Sequence, residues 1–361
     1  MSEPQRVSGP ADIVGTIPHL LSYHPTDDQL VVLALGESGS LKVTIGLNWE
    51  EALGPDLDQG PKMADYLHTR VNAATYLVAA YGPAGQIRAE RLASALSHHG
   101  NTPAVFAVDT AAGTFLMSDG HTWGDPEPIV DQGDQFALRG ESVAARDRQT
   151  MLDRYRPLET PTYPVASADL ARRIDTSLPS VRVARCRELL DQLSQPGHQP
   201  TPDDLSELAH TTLSASVVRD SVLIDVASDP AKREVVASLF TGAPGEYRGH
   251  LAPVAATAIY YGGHGPAAQT TLQHTAEGSP HASLGKLIDA SIEAAVPPES
   301  FRAAAMAANP IDLGAADRMF LAERGQSIRE RSRGRHQQPQ RDVTTPSPPA
   351  SLGPPDRGLD R

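Results

Sequence analysis

The side chains best placed to do chemistry stand together in Tyr23-His24-Pro25-x-x-Asp28. An imidazole titrates near neutral pH, so His24 is a candidate general base, with Asp28 as the carboxylate that would hold its tautomer. Tyr23 and His24 are also candidates for contacting a ligand. The competing reading is a turn fixed by Pro25, with Tyr23 packed on the sheet and Asp28 capping it. Arg146 and Asp147 form a second candidate pair, because a guanidinium at a helix start can hold a carboxylate or phosphate. Its alternative is a structural ion pair between helix and sheet.

Other chemistry-bearing residues carry less. The 13 histidines invite a search for metal ligands, but no His-x-x-x-His pair falls on a helix face. His98 and His99 are adjacent and point apart, while His121, Trp123 and Asp125 lie in a loop, so neither a metal nor a cofactor is expected. Cys186 sits between Arg185 and Arg187, and neighbouring cations lower a thiol pKa. It also shares helical spacing with Val183, Leu190 and Leu193, which predicts a buried, inert sulfur. Tyr260-Tyr261-Gly262-Gly263-His264-Gly265-Pro266 has the glycines of a phosphate loop but lacks the closing Lys-Ser/Thr and follows a helix. It reads as a helix-ending turn in which glycine supplies a positive φ. No Gly-x-Ser-x-Gly elbow, zinc-protease helix or Cys-x-x-Cys pair occurs.

These residues depend on an alternating framework. Gln29–Leu35 and Leu41–Leu47 read as strands of a hairpin closed by GESGS. Pro61–Ala73 has helical spacing, Thr75–Tyr81 is a buried strand, Gln86–His98 is a helix, and strands return at Pro103–Val108 and Gly113–Met117. That order predicts an α/β domain with a mixed sheet over 12–157, because a helical crossover normally links parallel neighbours. Asp125–Gly140 fits either a solvated helix or a loop. Pro157, Pro161 and Pro164 mark a Pro-rich linker over 158–166. Beyond it, helical segments with short, capped connections predict an all-α domain over 167–322, either a compact bundle or stacked hairpins. Residues 1–11 and an Arg/Pro-rich tail over 323–361 are expected to be disordered.

The run Pro18-His19-Leu20-Leu21, the Tyr23-His24-Pro25 turn and the valine-rich strand after it resemble the opening of the DUF4192 family, an actinobacterial domain of unknown function. The resemblance resumes at GESVAARDRQTMLDRYRP, where Gly140, Arg146, Asp147, Leu152 and Pro157 match the family's glycine, Arg-acid pair and proline-ended helix. It continues at Gly263, Gly265 and Pro297–Arg302. It implies the same α/β half and alanine-rich helical half, and no known activity. Relatives often carry a Cys-Pro-x-x-Gly element; the corresponding MSDGHTWGDPEP has no cysteine, so a thiolate-held metal is not implied for this chain.

Composition bounds what remains. The 361 residues are 40% hydrophobic and carry a net charge of −13. Since the segment from Glu323 has eight basic and five acidic residues, the body is more acidic still. An acidic body repels phosphate backbones, so no nucleic acid is expected at the core. The clustered Arg324, Arg329, Arg331, Arg333 and Arg335 allow weak contact of the tail with nucleic acid or anionic lipid, although solvation of an unfolded end is the favoured explanation for them. A single cysteine and the absence of an export signal predict a cytoplasmic protein, and no apolar run is long enough for a membrane span. The expectation is a non-enzymatic ligand- or protein-binding module, with protein contacts through the helical domain. The alternative is an enzyme of unrecognised class, with His24 as base, Asp28 as its orienter and Arg146 as anion anchor.

Overall fold

The structure is a computed structural model that describes residues 9–54, 57–71, 73–138, 144–294, 296–307 and 311–336. A six-stranded mixed sheet occupies the first half: β1 (Gln29–Leu35), β2 (Leu41–Asn48), β3 (Thr75–Tyr81), β4 (Ala104–Asp109), β5 (Thr114–Ser118) and β6 (Glu127–Pro128). Their spatial order is β2-β1-β3-β4-β5-β6. Only β3 and β4 run parallel, joined by a helical crossover, as the alternating pattern predicts. The expected hairpin pairs Gln29 with Asn48 through Leu35 with Leu41.

Six helices accompany the sheet: α1 (Pro10–Leu21), α2 (Trp49–Leu53), α3 (Gly60–Tyr66), α4 (Gly85–Ser97), α5 (Gly133–Leu138) and α6 (Arg148–Arg154). Successive strand side chains point to opposite faces, so β1 contributes to two cores. Leu30, Val32 and Ala34 pack with Leu53, Leu67, Leu92 and Leu96 under α2–α4. Val31 and Leu33 pack with Val14, Ile17, Leu21 and Met151 from α1 and α6. Burial on both faces explains the unbroken apolar run QLVVLAL. The helix read over Pro61–Ala73 is α3 followed by a π-helical turn at Leu67–Val71. The undecided stretch from Asp125 holds the short β6 and α5; its last residues, with Gly140, lie outside the described residues.

The second half is helical: α7 (Ala168–Thr176), α8 (Pro179–Leu193), α9 (Pro202–Leu213), α10 (Ser216–Ser228), α11 (Pro230–Thr241), α12 (Gly245–Tyr261), α13 (Gly265–Leu272), α14 (Ala282–Glu293) and α15 (Pro298–Ala307). Residues of capping type act here: Ser167, Thr201 and Asp229 accept backbone N–H groups at the starts of α7, α9 and α11. From Leu251 to Tyr261, α12 is buried on every side, as an apolar helix without a polar face must be. It packs against α9–α11 and α13–α15.

The two halves form one compact unit over Met1–Leu313. Ala237, Ala256, Ile259, Ala267, Ala268 and Ile288 of the helical half share a core with Val31, Phe106 and Phe115 of the sheet. The Pro-rich connection is strapped down: Leu158 and Thr162 donate to the Thr241 and Gly242 carbonyls, and the buried Tyr163 hydroxyl donates to the Leu239 carbonyl at 2.6 Å. A second unit begins at Gly314 and is described through α16 (Leu313–His336). Helix therefore extends over 323–336, within the segment read as tail. Likewise α1 already includes Pro10 and Ala11. Residues 1–8 and 337–361, and the side chains of Arg329, Arg331, Arg333 and Arg335, lie outside the described residues.

Candidate functional site

The Tyr23–Asp28 turn forms as its residue types direct. Tyr23 is buried, its hydroxyl accepts from Gln29 at 3.4 Å, and the backbone of Ser22–His24 bridges to Ala145. Asp28 accepts from Thr26 and, at 3.0 Å, from Asn48 of β2, while its carbonyl accepts from the Trp49 N–H. Asp27 is held as tightly: its carbonyl accepts from Arg88, its carboxylate from Thr110, and Gly82, at φ +88°, lies against its backbone. Among the described residues no hydrogen bond joins Asp28 to His24. The His24 ring is exposed and stands 6.4 Å from that of His19. Partial desolvation and His19 pull its pKa below the ordinary value, against the influence of Asp131.

Arg146 is exposed beside Asp147, whose carboxylate accepts from the Thr150 N–H at 2.7 Å and caps α6. Those hydrogen bonds hold the Asp147 carboxyl below the usual carboxylate range. The other sequence candidates resolve similarly. Cys186 is 1% exposed, and burial pushes its thiol up to about 12. Gly263 takes φ +88° at the end of α12, as the helix-ending turn requires. Among the described residues no cluster of three or more His, Cys, Asp or Glu side chains is arranged to hold a metal, and no helix is long and apolar enough to cross a membrane.

A broad concavity lies elsewhere, along the seam between the halves. It is a cleft of about 1550 Å³, above the roughly 300–1,000 Å³ of ordinary small-molecule sites. One wall comes from the end of α1 through Tyr23, the edge strand β2 and α6. The other comes from the α10–α11 junction, the α12–α13 turn and the starts of α13 and α15. Tyr23 belongs to this lining, but His24, Asp28, Arg146 and Asp147 do not.

Five cations, Lys42, Arg148, Arg154, Arg233 and Arg302, line the cleft against three carboxylates, Glu234, Glu293 and Glu299. Its interior thus reverses the sign of an acidic chain. Arg154 pairs with Glu234 at 2.9 Å, and Arg233 donates to the Val226 and Ala227 carbonyls at the end of α10. Among the described residues Arg148 and Arg302 have no hydrogen-bond or ion-pair partner.

Several buried polar groups also face this seam. His19 stacks on Phe136 and donates to Asp131 through Nε2, which leaves Nδ1 as a buried lone pair without a donor. That bond, first among its causes, keeps the Asp131 carboxyl low. Tyr155 and His264 are 5% and 6% exposed, with rings 5.5 Å apart. The His264 Nδ1 meets no partner, and burial, reinforced by Arg154 and Arg233, pulls this imidazole down to about 4. Burial also raises the Tyr155 phenol. Both groups are therefore neutral at pH 7.

A family model described as a domain of unknown function, DUF4192, matches residues 10–299. The chain belongs to the DUF4192 family. The match takes in sheet and helices together, so the seam lies within the family's unit, apart from Arg302 and Met306 on its rim. No curated protein and no solved structure matches the chain.

Sequence reasoning did not single out His19, Arg154, Tyr155, Arg233 or His264 as site residues. His264 appeared only within its glycine turn, and Tyr155 only within the proline-ended helix of the resemblance. Tyr155 and His264 are 109 positions apart, and no local spacing joins them.

Proposed function

We propose that this DUF4192 protein is a non-enzymatic binding protein whose small-molecule ligand occupies the cleft between its halves. The observation that carries this reading is a cleft of about 1550 Å³ lined by five cations in a chain of net charge −13, since charged clefts concentrate ligands of opposite sign. The concavity favours an enclosed ligand over a flat protein-docking face. Two halves sharing one core give such a ligand walls on both sides. The alternative of a His24-centred enzyme has less support, because His24 stands outside the cleft lining and Asp28 is engaged by Thr26 and Asn48.

The test is native mass spectrometry of the full chain after exposure to a metabolite extract. The wild-type protein is expected to retain a small molecule. Ala231→Trp, at an exposed position of the cleft wall, should abolish retention, and His24→Gln should preserve it. No retained species on the wild type, or undiminished retention by Ala231→Trp, would overturn the reading.

A further inference from the structure

The sheet contributes the backbone edge of a strand to the cleft. β2 stands first in the sheet, so one of its sides has no neighbouring strand, and Leu41–Leu47 line the cleft without a break. Every residue of β2 is half-buried, beside the buried run of β1. Natural sheets blunt such edges with short strands, proline or a covering element. The far edge follows that rule, since β6 is two residues long. β2 has eight residues and no proline, and it packs mainly on β1, α1 and α2.

Which groups face the opening follows from the ladder. The Trp49 N–H donates to the Asp28 carbonyl at 2.9 Å, which makes these two residues a hydrogen-bonded pair. Bonded and non-bonded pairs alternate along an antiparallel ladder. Leu47, Ile45 and Val43, opposite Leu30, Val32 and Ala34, therefore turn their N–H and C=O groups to β1. Gly46 and Thr44, opposite Val31 and Leu33, turn theirs to the open side. Among the described residues no other hydrogen bond engages them. Backbone donors and acceptors repeating at strand spacing inside a concavity match one partner geometry, a second extended backbone. The seven lining residues run about 20 Å, enough for a peptide of about six residues.

The surrounding side chains set the sign of that partner. Five cations line the cleft against three carboxylates, and Arg148 from the sheet half and Arg302 from the helical half have no partner among the described residues. Arg148 acts on the Tyr23 phenol, and a Cβ on Gly46 would lie 2.6 Å from that hydroxyl. One unpaired cation thus stands beside the open edge, where acidic side chains complement it.

We propose that the ligand of the cleft is a short acidic peptide, bound in extended form as an added strand on β2, with its backbone paired to Thr44 and Gly46 and its carboxylates towards Arg148 and Arg302. It rests on the cleft being the ligand site and adds the chemical class of the ligand.

The experiment titrates the full chain with a six-residue peptide alternating glutamate and valine, capped at both ends, and follows amide hydrogen exchange by NMR. The peptide is expected to bind saturably and to slow exchange at Thr44 and Gly46 by about tenfold or more, while Val43, Ile45 and Leu47, already in the ladder, change little. The same peptide N-methylated on alternate residues, made in both registers, should lose affinity in one register only, because a strand turns every second amide to its neighbour. Its lysine counterpart should bind about tenfold more weakly or not at all. Thr44→Pro removes one outward N–H, which an edge strand tolerates, and should weaken the peptide roughly two- to tenfold, as loss of one hydrogen bond implies. Should that variant fail to fold, the N-methylated pair tests the same bond on the wild type. No saturable binding at millimolar peptide, binding that leaves Thr44 and Gly46 unprotected, or equal binding of the lysine counterpart would overturn the proposal. A non-peptide metabolite retained by the wild type and lost in Ala231→Trp would remove the peptide and keep the cleft. Peptide binding that protects Thr44 and Gly46 and survives Ala231→Trp would keep the added strand and remove the cleft as the ligand site.

Discussion

The Tyr23–Asp28 turn and the Tyr155–His264 seam both bring polar side chains onto a largely apolar framework, and they treat them in opposite ways. In the turn the carboxylates of Asp27 and Asp28 have donors in Thr110, Thr26 and Asn48, and Tyr23 has Gln29. At the seam, among the described residues, the buried Nδ1 atoms of His264 and His19 have no hydrogen-bond partner. A conspicuous motif whose groups satisfy one another has the marks of structural need. An inconspicuous buried histidine left unsatisfied between two halves is an exception that packing alone does not explain.

The contrast can be broken most forcefully at the turn. Gly82→Ala would put a Cβ 2.5 Å from the Asp27 carbonyl oxygen at a φ of +88°, so a loss on the order of 3 kcal/mol is expected in denaturant unfolding. A loss below about 1 kcal/mol would show that the turn yields easily and that the contact of Gly82 with Asp27 does not hold it in place.

Acid titration probes the seam. His264 binds its proton near 4 in the folded chain and near 6.5 when unfolded, so between those values the unfolded state holds more protons. Stability conferred by the neutral imidazole is full above about 6.5 and is lost as pH falls towards about 4, by about 2–3 kcal/mol. His281, buried beside Arg219, is also pulled down to about 4 and adds a loss of the same sign. The share belonging to the seam is the part of the slope that His264→Phe removes. An unchanged slope in that variant would place the acid sensitivity elsewhere.

Smaller effects sharpen the comparison. Asp147→Ala, which removes the cap of α6, should cost about 1 kcal/mol in thermal unfolding. His24→Gln, at an exposed ring without a hydrogen bond, should change stability by less than about 0.5 kcal/mol. A larger loss on thermal unfolding would mean that His24 belongs to the turn's mutual support after all.

Much of the framework was legible because it follows from local rules. Short continuous apolar runs placed β1 and β3 to the residue, and a proline start marked α9. Legibility failed where a long-range partner decides. The π-helical turn at Leu67–Val71 breaks a run that reads as one helix; Tyr76 of β3 donates its hydroxyl to the Leu67 carbonyl there. The proline-rich connection reads as a spacer, yet Tyr163 is buried and bonded to α11. At the candidate site, Tyr23 was found by its motif, whereas Tyr155, Arg233 and His264 were missed because each looks like an ordinary helix-end residue.

Alternation, capping and turn chemistry act over a few residues, so the amino-acid order alone determined the mixed sheet, the succession of helices, the buried thiol and the family to which the chain belongs. Where the two halves meet, which face of α13 looks towards α6, and which polar groups are stranded there depend on how apolar surfaces more than 100 residues apart bury one another. That burial is non-directional and has no spacing to read. Only the tertiary structure could place Tyr155 against His264 and leave the cleft between them.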